Sequence, residues 1–382
     1  MAQSTMVQSD FDDQLDDYFK GMMTVWSQCA SRLGESSMEL CIGGKRVRLR
    51  FAGQNLMSFV RPLAHLIVAS DSSGAENRSG NVTKPGGDSD DSVALEIRIG
   101  EGKSAQLRPP AASWMMDRKD LPPGSHEFES WRCERGKVKI NHLPRSSSIS
   151  LFNCDQRTAC YWIDDPAEIP FYEIASPFRT ILSWWADTIG AQIAHAAVVG
   201  KEGRGVLLVG RGGSGKSTTA MACVDAGLQY VSDDYVWLQM DPQPTAYCLY
   251  NSAKLHTKLL PEHFPDWQRQ VALEVGPLAK SVFFLHESAP DLVTKHLAIC
   301  GVLSPKITDR KQSVCLPTSR AEVLMGLGPS TLLPRRSGES NGFAFLAQWV
   351  RELPAYRLEL GGIPTSPTAL DAVLQNRAVH VD

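Results

Sequence analysis

The sequence lacks the features that mark membrane, secreted and nucleic-acid-binding proteins. No apolar run approaches the roughly 20 residues of a membrane span. The first ten residues are polar, with no basic start and no apolar centre, so we expect no signal peptide. The 39 Lys and Arg residues do not outnumber the 42 Asp and Glu residues, and the net charge is −3. This balance gives no electrostatic reason for binding to nucleic acid or to a membrane.

Paired cysteine motifs are also missing. The nine cysteines are scattered, and the closest two are Cys154 and Cys160. No C-x-x-C pattern is present, so a zinc knuckle is not indicated. An odd number of dispersed cysteines is typical of reduced thiols, and we expect a cytoplasmic protein.

The length of 382 residues predicts two domains. Residues 1–165 read as a mixed, strand-rich α+β domain. An amphipathic helix runs from Phe11 to Leu33, a hairpin turns at Gly43-Gly44, and the Ser/Gly/Asp-rich residues 70–92 form a flexible loop. This domain contains no recognisable chemistry, so acceptor recognition or assembly is its expected role. Residues 166–382 form an α/β nucleotide-binding domain.

The second domain contains a phosphate-binding loop. Residues 210–217 read Gly-Arg-Gly-Gly-Ser-Gly-Lys-Ser and match the pattern G-x-x-x-x-G-K-[ST]. An apolar strand precedes them and an Ala-rich helix from Thr218 to Ala226 follows. Backbone N–H groups of such a loop and the positive end of its helix hold phosphates, Lys216 contacts the outer phosphates, and Ser217 ligates Mg²⁺. We predict ATP and Mg²⁺ as cofactors, with nucleotide-binding residues Gly210, Arg211, Gly212, Gly213, Ser214, Gly215, Lys216, Ser217 and Thr218.

Two adjacent carboxylates should lie beside this loop. The segment Leu228–Val231 reads as the strand that follows the loop helix, and parallel strands of a βαβ unit end at the same edge of the sheet. Asp233 and Asp234 come directly after that strand. Such a pair suits two functions: one carboxylate holds Mg²⁺ and the other accepts the proton of an attacking hydroxyl.

His195 is expected at the same edge. Residues 194–199 read as a strand, residues 200–204 as a turn, and Gly205 begins the loop strand. A hairpin centred near Glu202 pairs position 195 with about position 210. The imidazole could then hydrogen-bond a carboxylate and set its pKa.

At these residues the chain resembles the C-terminal kinase domain of bacterial HPr kinase/phosphorylase. The resemblance covers His195 to about Leu238, including GRGGSGKST and DAGLQYVSDDYVWL. It implies the fold shared with phosphoenolpyruvate carboxykinase and the phosphorylation of a serine hydroxyl. It also implies that Lys216 contacts phosphates, that Ser217 and Asp234 hold the metal, and that Asp233 is the catalytic base, oriented by His195.

The sequence departs from this family in two regions. The E-V-R-G-L-G-type loop is absent, and residues 296–301 read His-Leu-Ala-Ile-Cys-Gly without an arginine. That loop is tied in the family to reverse phosphorolysis, which is therefore not expected here. The N-terminal half does not resemble that of HPr kinase. The whole chain looks more like the HPr-kinase-related proteins of peptide-modification systems, including lasso-peptide kinases, and LPAYRLELGG at residues 353–362 is similar to their C-terminal segment.

We therefore expect a cytoplasmic Mg²⁺/ATP-dependent kinase acting on a Ser or Thr hydroxyl of a peptide or protein. The sequence leaves a homo-oligomer open. Two alternatives stay open: a kinase of an amino acid or other small hydroxyl compound, and a non-catalytic ATP-binding regulator. The acidic pair, rather than a single carboxylate, argues against the regulator.

Overall fold

The structure is a computed structural model that describes residues 8–68, 92–112, 114, 130–275, 279–332 and 342–375. The predicted loop at 70–92 lies outside these residues except for Ser92. Within the described residues the fold is mixed α/β, with three sheets. No helix in these ranges is both long and apolar enough to cross a membrane.

Ten helices follow one another along the described chain. They are α1 (Gln8–Leu33), α2 (Gly102–Ala105), α3 (Phe171–Ile174), α4 (Arg179–Thr188), α5 (Lys216–Asp225), α6 (Leu260–His263), α7 (Leu285–Ser288), α8 (Arg320–Leu332), α9 (Gly342–Glu352) and α10 (Ser366–Leu374). The predicted opening helix is confirmed as α1. Apolar residues of α1 lie on one face, where they are buried against the first sheet.

The first sheet contains seven strands from residues 35–163. They are β1 (Glu35–Ile42), β2 (Lys45–Ala52), β3 (Leu95–Glu101), β4 (Trp131–Cys133), β5 (Val138–Leu143), β6 (Ser148–Asn153) and β7 (Thr158–Ile163). Their order across the sheet is β1-β2-β3-β7-β6-β5-β4. The predicted hairpin is confirmed, with Ile42 opposite Lys45 across the two glycines. Helix α1 covers one face of this sheet, and α4 packs against the other.

Twelve strands follow in the second half of the chain. They are β8 (Gln192–His195), β9 (Ala197–Lys201), β10 (Arg204–Leu208), β11 (Gln229–Ser232), β12 (Tyr235–Gln239), β13 (Thr245–Tyr247), β14 (Ser252–His256), β15 (Leu273–Val275), β16 (Lys280–Phe284), β17 (His296–Ile307), β18 (Val314–Pro317) and β19 (Ala355–Leu360). A nine-stranded sheet has the order β11-β9-β10-β17-β13-β12-β8, with β19 beside β17 and β18 beside β19. Strands β14, β16 and β15 form a separate three-stranded sheet.

Helices cover both faces of the nine-stranded sheet because its central strands are apolar on both sides. Val198 and Leu207 pack with α8 and α9, whereas Val199 and Leu208 pack with α5 and α10. Successive residues of a strand point to opposite faces, so a continuous apolar run buries two layers at once.

One apolar cluster joins the two large sheets. Ile181 and Trp185 of α4 and Trp237 of β12 pack with Leu49 and Ile97 of the first sheet. Helix α4 therefore lies between the sheets, and its first residue, Arg179, lies at their junction. The division predicted at residues 165 and 166 separates the strands of the two sheets, and it stays a prediction as a domain boundary.

Candidate active site

The phosphate-loop sequence lies between a buried strand and a helix, as the motif requires. Strand β10 ends at Leu208 and helix α5 begins at Lys216. Gly213 and Gly215 have φ angles of +80° and +104°, which glycine adopts without steric cost. A Cβ on Gly215 would lie 2.4 Å from Leu360 Cδ1, so this position also has no room for a larger residue.

Polar groups of the loop are arranged to receive an anion. The Lys216 ammonium donates hydrogen bonds to the carbonyl oxygens of Gly210 (2.7 Å) and Arg211 (3.3 Å). Burial lowers the pKa of Lys216, although the charges of Asp234 and Asp233 oppose this shift. The Ser214 hydroxyl is buried without a hydrogen-bond partner. A phosphate oxygen in the loop would satisfy this hydroxyl, so the residues fit a nucleotide phosphate.

The predicted acidic pair follows strand β11 at the expected edge. Strands β10 and β11 are both antiparallel to β9, so they run in the same direction. The sequence did not indicate that β9 lies between them. Asp233 and Asp234 leave β11 at the edge where the loop follows β10, and the Ser217 hydroxyl lies 3.5 Å from the main-chain oxygen of Asp233.

Asp233 is the inner member of the pair, with 1% of its surface exposed. Its Oδ2 accepts a 2.8 Å hydrogen bond from the backbone N–H of Lys254, and its Oδ1 accepts one of 3.3 Å from the Tyr230 hydroxyl. Burial and the charge of Asp234 raise the pKa of Asp233 to about 6, while hydrogen bonds from Lys254 and Ser217 oppose the rise.

Asp234 is the outer member, and its side chain is 23% exposed. Its Oδ2 lies 2.6 Å from the Lys254 ammonium and its Oδ1 lies 3.0 Å from His195 Nε2. Burial alone would raise the pKa of Asp234, but Lys254 and His195 outweigh it and hold that pKa well below its usual range. The two neighbouring carboxyls are therefore driven apart in pKa, although they follow one another in sequence.

His195 reaches this site by a different route from the predicted one. The hairpin near Glu202 is confirmed, but it joins β9 to β10 and pairs Ala197 with Leu208. His195 ends the separate strand β8, which pairs with β12 and places His195 opposite Tyr235, with only Ala196 between β8 and β9. The expectation that His195 orients Asp233 is wrong, because the imidazole contacts Asp234.

Two further cations belong to the site and were not assigned to it from the sequence. Lys254 lies in β14 of the small sheet and joins both carboxylates, one through its backbone and one through its side chain. Arg179 begins α4, and its guanidinium lies 4.4 Å from the ring centroid of Tyr235. Residues 247–260 place Lys254 between apolar residues, a pattern that fits both a strand near the phosphates and a solvated face. No local pattern pointed to Arg179.

The oxygen ligands at this edge fit a magnesium ion. Mg²⁺ prefers oxygen ligands and is usually held by one or two carboxylates together with substrate phosphates. Ser217 and Asp233 provide a hydroxyl and a carboxylate close to the loop. In the described parts of the chain no three His, Cys, Asp or Glu side chains are grouped so that they could hold a metal by themselves. The site is therefore suited to Mg²⁺ that arrives with a nucleotide.

Comparisons with known proteins give a distant structural likeness. No family model matches the sequence, and no curated protein matches it. Among solved structures, the chain is similar to the Hpr(Ser) kinase/phosphatase from Coxiella burnetii, with 15% sequence identity and a TM-score of 0.27. The alignment covers 48% of this chain and 95% of the other. A likeness of this size is a distant relation of structure, and the function proposed below is argued from the site.

Proposed function

We propose that this protein is a Mg²⁺/ATP-dependent kinase that transfers the γ-phosphoryl group to a Ser or Thr hydroxyl of a peptide or protein. The observation that carries the proposal is the position of the buried Asp233–Asp234 pair beside a phosphate loop that has both Lys216 and Ser217. A nucleotide-binding regulator needs the loop, whereas a second carboxylate held by His195 and Lys254 is suited to proton transfer. The choice of a peptide or protein acceptor comes from the sequence resemblance.

At the nucleotide end, Lys216 and the loop N–H groups bind phosphates. An incoming phosphate competes with the carbonyl oxygens of Gly210 and Arg211 for the Lys216 ammonium. The charge of this lysine then stabilises the negative charge that develops on the transferring group. When bound, Mg²⁺ supplies further charge neutralisation between the phosphates, and Ser217 with one carboxylate would hold it.

The contacts of the two carboxylates favour roles that are exchanged relative to those implied by the resemblance, in which Asp233 is the base and Asp234 holds the metal. Asp233 lies on the Ser217 side and is almost fully buried. Asp234 is the more exposed and is held by His195. An incoming hydroxyl can reach Asp234 more readily, so we assign proton acceptance to Asp234 and the metal side to Asp233 with Ser217.

Phosphoryl transfer exchanges one bond of the γ-phosphorus for another and moves one proton. The acceptor oxygen forms a bond to the γ-phosphorus while the bond from that phosphorus to the β–γ bridging oxygen breaks, which releases ADP. The hydroxyl proton passes to Asp234. His195 keeps this carboxylate in position, and Lys254 balances the charge of the pair. The proton leaves during transfer, when the acceptor oxygen is most acidic, so a carboxylate of low pKa can accept it.

The test uses γ-labelled ATP, Mg²⁺ and candidate acceptors with the full chain. We expect acid-stable, alkali-labile label on Ser or Thr and one ADP for each labelled acceptor. The Lys216→Ala variant should give no labelled acceptor. Label lost in acid would indicate phosphohistidine and overturn the hydroxyl-kinase proposal. Label found only in inorganic phosphate with every acceptor would identify an ATPase or a regulator instead.

A further inference from the structure

A second recess adjoins the site on the side of His195. It lies between α4, the end of β4 and strand β8, and its walls include Arg132, Arg179, Ser183, His195, Tyr235 and Thr331. Tyr235 directly follows Asp234 in sequence and lies opposite His195 in the sheet, with the two rings 5.4 Å apart. The recess is therefore next to the carboxylate to which we assign proton acceptance.

The charged side chains in its walls differ in the hydrogen-bond and ion-pair partners that they have among the described residues. Arg132 donates a 2.6 Å hydrogen bond to Asn141 and lies 3.9 Å from Glu134, which is also in the wall. Asp187 also lies in the wall, and it has interactions of its own. The Arg179 guanidinium is different: it lies over the Tyr235 ring, the charges of Asp234 and Glu173 act on it from a distance, and among the described residues none lies within hydrogen-bond or ion-pair distance of it.

The Arg179 guanidinium has N–H donors that no residue in the described parts of the chain uses. A guanidinium has five N–H donors in a planar fork and stays charged at any physiological pH. The contact with the face of the Tyr235 ring holds the guanidinium in place without a hydrogen bond. A charged group that lines a recess without a partner loses hydration, and an oxyanion that accepts two parallel hydrogen bonds offsets this loss.

We propose that the recess binds the phosphoryl acceptor and that Arg179 there binds an anionic group, carboxylate or phosphate, which the acceptor carries near its hydroxyl. The identification of the bound molecule as a phosphoryl acceptor rests on the proposed kinase function. The binding of an anion by Arg179 does not depend on that function. The hydroxyls of Ser183 and Thr331 lie in the same walls and are available to the polar parts of such a molecule. Thr331 already accepts a 3.1 Å hydrogen bond from the His195 backbone, so its own proton is free to be donated.

A binding experiment tests the anion site without catalysis. The full chain is first saturated with Mg²⁺ and a non-hydrolysable ATP analogue, so that the phosphate loop is filled. Glycerate, glycerol 3-phosphate and glycerol are then titrated at matched ionic strength, and the melting temperature and heat of binding are recorded. We expect the two anions, but not glycerol, to bind wild type. In Arg179→Gln their affinity should fall by about tenfold to a hundredfold, as for loss of a hydrogen bond to a charged group.

Two further variants separate a binding role from a structural one. Arg179→Lys keeps the charge but loses the fork, so it should recover part of the affinity. Arg204→Gln removes one positive charge at the opposite end of β10 from the loop, and it should bind the anions as wild type does. Equal binding of the anions by wild type and Arg179→Gln, or no preference for anions over glycerol in wild type, would overturn the proposal.

A kinetic experiment distinguishes the source of the anion and keeps the two proposals apart. Three pairs of acceptors are compared, each with an anionic and a neutral member. Glycerate and glycerol 3-phosphate are each compared with glycerol, and a peptide that has Glu next to its Ser is compared with the same peptide that has Gln there. We expect kcat/KM to favour the anionic member by at least about tenfold in wild type, mainly through KM, and the preference to disappear in Arg179→Gln. Anion binding without any phosphoryl transfer would sustain the anion site and refute the kinase. Phosphoryl transfer with the same kcat/KM for anionic and neutral acceptors would support the kinase and refute the anion site.

Discussion

At the scale of single residues, two neighbouring aspartates acquire different chemistry from their surroundings. Asp233 accepts hydrogen bonds in a buried position, and Asp234 faces His195 and Lys254. We predict that Asp234→Asn leaves ATP binding near normal and slows transfer by about 10² to 10⁴, as for loss of a general base. Asp233→Asn should instead raise the Mg²⁺ concentration needed for half-maximal activity. Nucleotide titration and single-turnover kinetics measure both. The reverse pattern would restore the roles implied by the sequence resemblance.

The raised pKa of Asp233 predicts a pH-dependent cost to the folded state. This pKa is about 6 in the folded protein, above the ordinary value of about 3.9 for an unfolded Asp. The folded state therefore binds the proton more tightly, so there is no cost below about pH 4 and the full cost applies above about pH 6. Asp233→Asn should gain stability relative to wild type across this interval and keep the gain at higher pH.

Urea unfolding at a series of pH values measures this difference. The control is Asp291→Asn, which changes an aspartate that is exposed to solvent. Its stability relative to wild type should change little with pH. If the difference between Asp233→Asn and wild type is equally flat from pH 4 to pH 7, the carboxyl is not held in an unfavourable charged form.

Removal of the loop lysine should separate binding from folding. Lys216 is 6% exposed and its ammonium donates hydrogen bonds to loop carbonyl groups. We predict that Lys216→Ala weakens ATP binding at least tenfold and abolishes transfer, while the melting temperature changes little because the buried charge is lost together with its hydrogen bonds. Lys201→Ala is the matched control, since it truncates an exposed lysine that lies outside the loop. Wild-type turnover in Lys216→Ala would refute the assignment of the loop.

At the scale of elements, the turn from β10 into α5 depends on glycine at one position more than at another. Gly215 has a φ of +104° and a Cβ there would overlap Leu360, whereas a Cβ on Gly212 would meet no atom within 4 Å. Gly215→Ala should cost about 1–3 kcal/mol of stability and weaken ATP binding, because backbone strain and overlap add. Gly212→Ala should stay within about 0.5 kcal/mol of wild type. Thermal unfolding with and without nucleotide would show the contrast, and equal stability of the two variants would contradict it.

The same elements show which parts of the site can be predicted from sequence. The loop and the acidic pair each consist of consecutive residues, so one motif and one strand direction place them. His195 could be expected at this edge, but its pairing could not be predicted, because the strand breaks at Ala196 and β8 pairs with β12 instead of extending the β9–β10 hairpin. Lys254 and Arg179 come from a small sheet and from the start of α4, and only the packing of distant segments brings them to the carboxylates.

At the scale of the whole molecule, the two halves share polar contacts as well as an apolar cluster. The Asn251 side chain, which is fully buried, donates hydrogen bonds to the carbonyl oxygens of Arg61 and Pro62, and its backbone N–H also donates to Pro62. The helix and strand patterns predicted the elements of each half. They could not predict this junction, because contacts between segments that lie far apart in sequence leave no local periodicity.

This junction predicts that the two large sheets unfold together. Trp237 belongs to the nine-stranded sheet, yet it is fully buried in the cluster that includes Leu49 and Ile97 of the first sheet. Trp237→Ala should therefore cost about 3–5 kcal/mol, and the loss should reach amides of both sheets because neither half can keep its apolar face covered alone. Calorimetry of wild type should show one transition. Native-state hydrogen exchange should show lowered protection in β2 and β3 as well as in β9 and β10. Two separate transitions, or a loss of protection confined to β9 and β10, would mean that the halves fold as independent domains.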